Sequence, residues 1–391
     1  MKRKVLFVIE SLTAAGAERS LISLLSALDY SRFDIDLQLF SYGGELERYL
    51  PQVVHLLPPL EYSRFLEKSL CAQLFSMQLK KLFAKNLFSF FIRIGKNSHA
   101  DRARKYWKSV GRVIPDYNNK YDTAVAYSQG IPSFYVAEKI CAPNKIAWVN
   151  VTFSLSKKNV LFQNHYYNEF QHIVCVSNPV KSVFDYSFPN QSEKTIVIPD
   201  RIDSVLIRRL ALETPNPFHA DCPVILTVAR LAPQKGFDIT LKTCRILKDR
   251  GVRFHWYAIG RGPLKSDLEQ SVKENDLQQY FSFLGTFANP YPYFKAAMLY
   301  VQTSRNEGFG LSIAEARVLG VPVVTTEFDA VWQQMVQGKN GIVVPQDPVA
   351  VADAIERLLK DKSLYNTIVS YQRAETFDNS LSLNLFYRLL D

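Results

Sequence analysis

The sequence predicts an α/β protein made of two Rossmann-like, doubly wound domains in series, and three observations carry that prediction. At 391 residues the chain is longer than one ordinary core organises. Short apolar runs of strand length alternate with helical periodicities, the pattern of βαβ units whose parallel sheets are covered on both faces. The pattern then repeats after a turn-rich stretch, Glu213-Thr214-Pro215-Asn216-Pro217-Phe218.

In the first half, segments 5–9, 34–40, 123–127, 145–149 and 173–176 read as buried strands, with helical patterns at 17–28 and 133–140. In the second, strands are expected at 224–228, 254–259, 281–284, 299–301, 321–325 and 341–344, with helices at 237–249, 311–319 and 348–359 between them. The domains are expected at 1–205 and 206–376, with 377–391 as a closing segment. Two such domains leave a cleft at the carboxyl ends of their strands, where ligands usually bind. A composition of 47% hydrophobic and 21% charged residues excludes a disordered chain. The five cysteines are scattered and form no C-x-x-C pair, which fits free thiols in a reducing compartment better than disulfides or a zinc site. The apolar run after Lys4 ends at Glu10, too short for an export signal, so a buried first strand and a cytosolic chain are expected.

The net charge of +10 is concentrated in one segment. Residues 64–112 carry twelve Lys and Arg against Glu67 and Asp101, so they hold the whole excess and the rest of the chain is balanced. Within this segment Leu79, Leu82, Phe83, Leu87, Phe90 and Ile94 recur at helical spacing, broadened by Phe88 and Phe91, with Lys80, Lys81 and Lys85 on other faces. A basic amphipathic helix of this kind suits an anionic membrane surface. The alternative is a pair of core helices with solvated basic backs. Nucleic-acid binding fits least, because no nucleic-acid motif accompanies the charge.

The chemistry concentrates in the second half. A strand leads into Ser304-Arg305-Asn306-Glu307-Gly308-Phe309-Gly310-Leu311, and a helix follows. Gly308 and Gly310 allow close backbone approach, and the amides of Phe309 to Ser312 are the unpaired donors of a starting helix, a favourable place for an anion. Glu307 and Glu315 flank that place and can accept hydrogen bonds from hydroxyls. Arg230 and Lys235 lie in the loop after the 224–228 strand and supply the cations a pyrophosphate needs. Taken singly, each also fits a solvated loop cation or a charge at a helix start.

Together, ARLAPQKG (229–236), YAIGRG (257–262), FLG (283–285), EGFGLSIAEA (307–316), GVPVV (320–324) and GKNGIVV (338–344) make residues 222–360 resemble the donor-binding domain of glycosyltransferase family 4. Members of that family have the GT-B fold. The resemblance implies two Rossmann-like domains facing across a cleft, an acceptor-binding domain at 1–205, a nucleotide-sugar-binding domain at 206–376 and a helix at 377–390 crossing back to the first domain. It implies that Arg230 and Lys235 hold the diphosphate, that Glu307 contacts the sugar and that Glu315 binds the ribose. The backbone near Leu284 would read the base, and Gly308, Phe309, Gly310 and Leu311 would complete the phosphate cradle. On the other side, only Gly16 remains where relatives carry more glycine, as a further donor contact. Tyr127, Ser128, Gln129 and Asn150 would line the acceptor side. Asn150 stands where relatives often have His and cannot act as a base.

The implied activity is metal-independent transfer, with retention of configuration, from a nucleotide-diphosphate sugar, UDP-linked, to a lipid-linked saccharide in surface polysaccharide assembly. The setting would be the cytoplasmic face of the plasma membrane. No metal or cofactor is expected, the nucleotide sugar being a substrate, and no nucleic acid partner. An epimerase of the same fold and a non-catalytic nucleotide-sugar-binding subunit are the alternatives. Asp34-Ile35-Asp36 spells the D-x-D of metal-dependent transferases but alternates with apolar residues inside a strand pattern. Gly260-Arg261-Gly262 lacks the third glycine of a dinucleotide fingerprint.

Overall fold

In a computed structural model of the chain, residues 2–75, 78–94, 97–151, 155–218 and 221–391 are described. They form two compact units, Met1–Pro199 with Ser380–Asp391, and Asp200–Asn379. The first unit carries β1 (Arg3–Ile9), β2 (Phe33–Leu39), β3 (His55–Leu56), β4 (Tyr117–Lys120), β5 (Thr123–Ala126), β6 (Ile140–Cys141), β7 (Asn144–Val149), β8 (His172–Cys175) and β9 (Thr195–Val197). β4 pairs with β6 apart from the rest, and the others form one parallel sheet in the order β3-β2-β1-β5-β7-β8-β9.

The second unit carries β10 (Val224–Val228), β11 (His255–Ile259), β12 (Phe281–Gly285), β13 (Leu299–Gln302), β14 (Val323–Thr326) and β15 (Gly341–Val344). They are parallel, in the order β12-β11-β10-β13-β14-β15. Every residue of β10 and β14 is buried, which is why these strands read as unbroken Val, Ile and Thr runs and not as alternating ones. In each sheet the sequential order of the strands reverses once, between β1 and β5 and between β10 and β13. Those reversals open the crevices where doubly wound sheets take ligands.

The unit boundary falls at 199/200 and the return at 379/380, not at 205/206 and 376/377. The turn-rich 213–218 stretch is therefore inside the second unit. The Ser204–Leu210 helix buries Ile207 and Leu210 there, and Asn289 Nδ2 donates to Leu210 O at 2.8 Å. At the return, the Asn379 amide pairs with both backbone groups of Ile202, at 2.9 Å each. The helix that follows, Ser380–Leu390, belongs to the first unit. Phe386 is fully buried, 6.1 Å from the Phe7 ring and 5.6 Å from Trp148. Tyr387 stacks on Phe33 at 5.7 Å and Asn144 Nδ2 donates to Leu389 O at 2.6 Å.

The basic segment folds as helices Glu61–Glu67, Leu70–Phe75, Leu79–Arg93 and His99–Val110. The last begins with a reciprocal capping box between Ser98 and Asp101. Arg104 donates to Asp101 at 3.1 Å and Asn159 does so at 3.0 Å. Burial opposes ionisation of Asp101, but the hydrogen bonds from Ser98, Arg104 and Asn159 outweigh it and hold the carboxyl at about 2, below its ordinary 3.8. Lys105 sits at the end of the preceding helix, donating to Phe91 O at 2.9 Å and Ile94 O at 3.0 Å, where a cation is favoured.

The Leu79–Arg93 helix differs from a core helix in one respect: Leu79, Phe83, Phe90 and Ile94, in line along one face and the next residue, are 72%, 68%, 59% and 54% exposed. Its inner side is Ala84, with Phe88 packed edge-on to Tyr106 at 5.3 Å. Lys81 and Lys85 turn inward as well, to Glu61 at 3.1 Å and Gln73 at 2.6 Å, so they are not outward cations as the helical spacing suggested. Lys80 and Arg93 remain exposed, and Lys96 lies outside the described residues. Among the described residues no helix is long and apolar enough to cross a membrane.

Replacing Phe386 by Ala should destabilise the first unit by about 3–5 kcal/mol, measured by denaturant unfolding. Asp101→Asn should cost about 1 kcal/mol at pH 7. Because the folded carboxyl titrates below the unfolded one, that stabilisation is present above about pH 4 and lost as pH falls toward 2, so the two proteins should converge in acid.

Candidate functional site

The loops after β10 and β13 flank the crevice of the second sheet, and the backbone joins them tightly. After β10, a turn of 3-10 helix (Pro233–Lys235) passes through Gly236 into the Phe237–Asp249 helix. Gly236 has φ +65°, and a Cβ there would fall 1.9 Å from the Thr303 carbonyl oxygen. Only glycine fits. Thr303 Oγ1 donates to Gly236 O at 2.9 Å, and Arg305 N donates to Gln234 O at 2.8 Å. The Arg305 guanidinium forms a two-pronged pair with Asp238, at 2.8 and 2.7 Å.

That junction puts Lys235 on Glu307. Lys235 Nζ lies 2.5 Å from Oε1 and 2.6 Å from Oε2, with the two side chains only 20% and 11% exposed. Gln302 Nε2 donates to Oε1 at 3.0 Å and Ser304 Oγ at 2.6 Å. The carboxylate is thus fixed in one orientation. Its Oε1 is crowded, while Oε2 accepts from Lys235 alone among the described residues.

Beyond Glu307 the chain turns through buried Gly308 and half-buried Phe309 to Gly310, which has φ +91° and caps the Leu311–Val318 helix without a side-chain hydrogen bond. Glu315, one turn along, is 2% exposed and accepts from the Tyr291 hydroxyl at 2.9 Å. Arg230 is exposed and its side chain has no hydrogen-bond or ion-pair partner among the described residues. The site residues at 230, 235 and 307–315 therefore gather on the loops of two neighbouring strands. Leu284 is half-buried on β12, two strands away.

The first unit has an equivalent crevice between β1 and β5. Gly16 is exposed and starts the Gly16–Leu25 helix. Gln129 bridges the loops after β5 and β7: its Nε2 donates to Val151 O at 3.0 Å, and its Oε1 accepts from Asn150 N at 3.2 Å. Asn150 Nδ2 donates to Tyr127 O at 2.8 Å, while Asn150 Oδ1 and Ser128 Oγ are buried with no hydrogen-bond partner among the described residues. Tyr127 does not line the crevice. It is 1% exposed, its ring stacks on Trp148 at 4.6 Å and its hydroxyl meets Ser20 Oγ at 2.9 Å, because the residue continues a strand that is buried throughout and covered on both faces. Asp36 of the D-x-D is taken up by Tyr121 at 2.6 Å and His55 at 3.0 Å, and no metal-binding cluster occurs among the described residues.

Three supporting residues escaped the sequence reading. Ser304, which braces Glu307, had a visible signal in the S-x-x-E spacing of 304–307, and Gln302, which braces it too, had none. Glu10, at the end of β1, had none: burial pushes its carboxyl above the ordinary 4.5, against an opposing pull from His99.

Residues 222–361 match the model of a protein family described as glycosyl transferases group 1. The amylovoran biosynthesis glycosyltransferase AmsK of Erwinia amylovora is 27% identical over 175 residues, 42% of this chain and 43% of that protein. The capsular polysaccharide biosynthesis glycosyltransferase CapM of Staphylococcus aureus is 26% identical over 174 residues, 43% and 44% of the two chains. The chain thus spans less than half the length of these curated relatives. Among solved structures, Anabaena HepE in complex with UDP and glucose superposes with a TM-score of 0.69 at 20% identity, covering 99% of each chain. WaaG, a glycosyltransferase involved in lipopolysaccharide biosynthesis, gives 0.63 at 13% identity, again over 99% of each. At these identities the likeness establishes the fold, which is GT-B.

Proposed function

We propose that this chain is a glycosyltransferase that moves a sugar from a UDP-linked donor, with retention of configuration, onto a lipid-linked saccharide in surface polysaccharide assembly. The observation that carries the reading is the gathering of Arg230, Lys235, Glu307 and an uncapped helix start on the two loops of the β10–β13 crevice. Relatives named for polysaccharide assembly and a structural neighbour solved with UDP and glucose support it. In this reading no metal takes part. Arg230 and Lys235 carry the negative charge that grows on the leaving diphosphate, the largest contribution in such chemistry. Glu307 aims the Lys235 ammonium and receives a sugar hydroxyl on Oε2. Glu315 receives ribose hydroxyls and the backbone at Leu284 meets the base. Ser128, Gln129 and Asn150 contribute the acceptor side.

The acceptor is membrane-borne in this proposal, and the exposed face of Leu79, Phe83, Phe90 and Ile94 supports it. Aromatic and aliphatic side chains beside exposed Lys80 and Arg93 suit the headgroup region of an anionic bilayer, on its cytoplasmic side.

Lys235→Ala and Glu307→Gln should each lower transfer about 100-fold or more while circular dichroism stays that of the parent protein. The assay is product formation across a panel of nucleotide sugars, and parental turnover in both variants would overturn the site. Separately, Phe83→Ser with Phe90→Ser, or Lys80→Glu with Arg93→Glu, should weaken flotation with phosphatidylglycerol vesicles about tenfold. Unchanged flotation in both pairs would assign the helix no lipid contact.

A further inference from the structure

The loop that precedes the Leu311–Val318 helix is held from behind by a buried amide. Gln334 is 9% exposed, and its Nε2 donates to Phe309 O at 2.5 Å and Gly310 O at 3.2 Å. Its Oε1 accepts from Arg317 Nη1 at 3.3 Å. This arrangement admits one orientation of the amide. Reversed, it would set an oxygen against two carbonyl oxygens and an NH₂ against a guanidinium.

The clamp is itself anchored. Arg317, 8% exposed, makes a two-pronged pair with Glu375, at 3.1 and 2.6 Å. Asn340, fully buried, spans the same two partners: its Nδ2 donates to Glu375 Oε1 at 3.1 Å and to Gln334 O at 3.0 Å. Each polar group in this chain of contacts is satisfied by the next, which is the condition for a buried network to be rigid.

A trans peptide is planar, with its C=O and N–H on opposite sides. Holding the carbonyls of Phe309 and Gly310 therefore fixes the direction of the N–H groups of Gly310 and Leu311, away from Gln334. The restraint matters because residue 310 is a glycine in a left-handed conformation, φ +91° and ψ +50°, free to rotate both planes if nothing held them. A Cβ at 310 would come within 3.0 Å of Gln334 Nε2, so the same residue that needs the clamp leaves room for it.

Resting on the reading of the β10–β13 crevice as a nucleoside-diphosphate site, we propose that Gln334 is a positioning residue whose amide aims the Gly310 and Leu311 N–H groups at the donor phosphates. Arg317 and Glu375 keep it in register. Preset donors need no reorganisation when a phosphate arrives, and a charge-assisted hydrogen bond is worth more than a neutral one.

The test is calorimetric binding of UDP, ADP and GDP, each beside its parent nucleoside, to the full chain and to Gln334→Met and Gln334→Glu. Methionine keeps the length and removes the amide, and glutamate keeps the Arg317 contact but turns an oxygen toward the two carbonyls, so either variant carries the test if the other fails to fold. The expected result is about a tenfold loss of diphosphate affinity with nucleoside affinity unchanged. Equal losses for diphosphate and nucleoside, or no loss, would overturn the clamp. Lys235→Ala is measured in parallel. If it removes the preference for diphosphate while the Gln334 variants retain it, the clamp fails and the site stands. If it leaves the preference intact, or the parent protein shows none, the reading of the crevice fails and takes the clamp with it.

Discussion

The second unit is organised around a place where two backbones touch. Residue 236 lies so close to the Thr303 carbonyl that no side chain can intervene, and the contact is closed by a threonine hydroxyl on one side and an arginine–aspartate fork on the other. Because the two loops leave neighbouring strands that are buried along their whole length, the approach fixes the loops to each other much as the sheet fixes the strands. Lys235 and Glu307, 72 positions apart in sequence, meet as a consequence. A cation held by a carboxylate is oriented by it.

Strands buried on both faces were plain in the sequence, and β10 and β15 have the bounds their Val and Ile runs suggest. The short strands were not. β3 has two residues, and β4 is Tyr-Asn-Asn-Lys, so neither has an apolar run to read. The Lys265–Glu274 helix buries only Leu268 and Val272, one stripe too thin to separate from a polar loop. The site shows the same division. Glycines, the two glutamates and the two cations could be read because their spacing along one chain carries the information. Gln302, Gln334 and Arg317 could not, since their partners lie on other elements and a lone Gln or Arg in a helix or strand has many ordinary explanations. Tyr127 shows the reverse error. A polar-tipped residue just past a strand looked like crevice lining, yet the cover that buries every residue of β5 extends over it as well.

The basic segment shows why composition alone misplaces charge. Lys81, Lys85, Arg104 and Lys105 all have internal partners, on a carboxylate, an amide or the carbonyls of a helix end. Those cations shape the fold. The outward face of the same helix is instead apolar, with Leu and Phe side chains more than half exposed and a few cations beside them. Periodicity correctly located an apolar stripe but could not say which side of the helix the rest of the unit would cover, and the small Ala84 turned out to mark the inner side.

The helix at Ser380–Leu390 also has a bearing on how the polypeptide is made. Its Phe386 packs on Phe7 and Trp148, so the first unit lacks part of its interior until residues beyond 379 have been added. The Asp200–Asn379 unit is continuous and meets no such delay. During vectorial synthesis the Asp200–Asn379 unit can therefore be complete before the first unit, which waits for a segment on the far side of it.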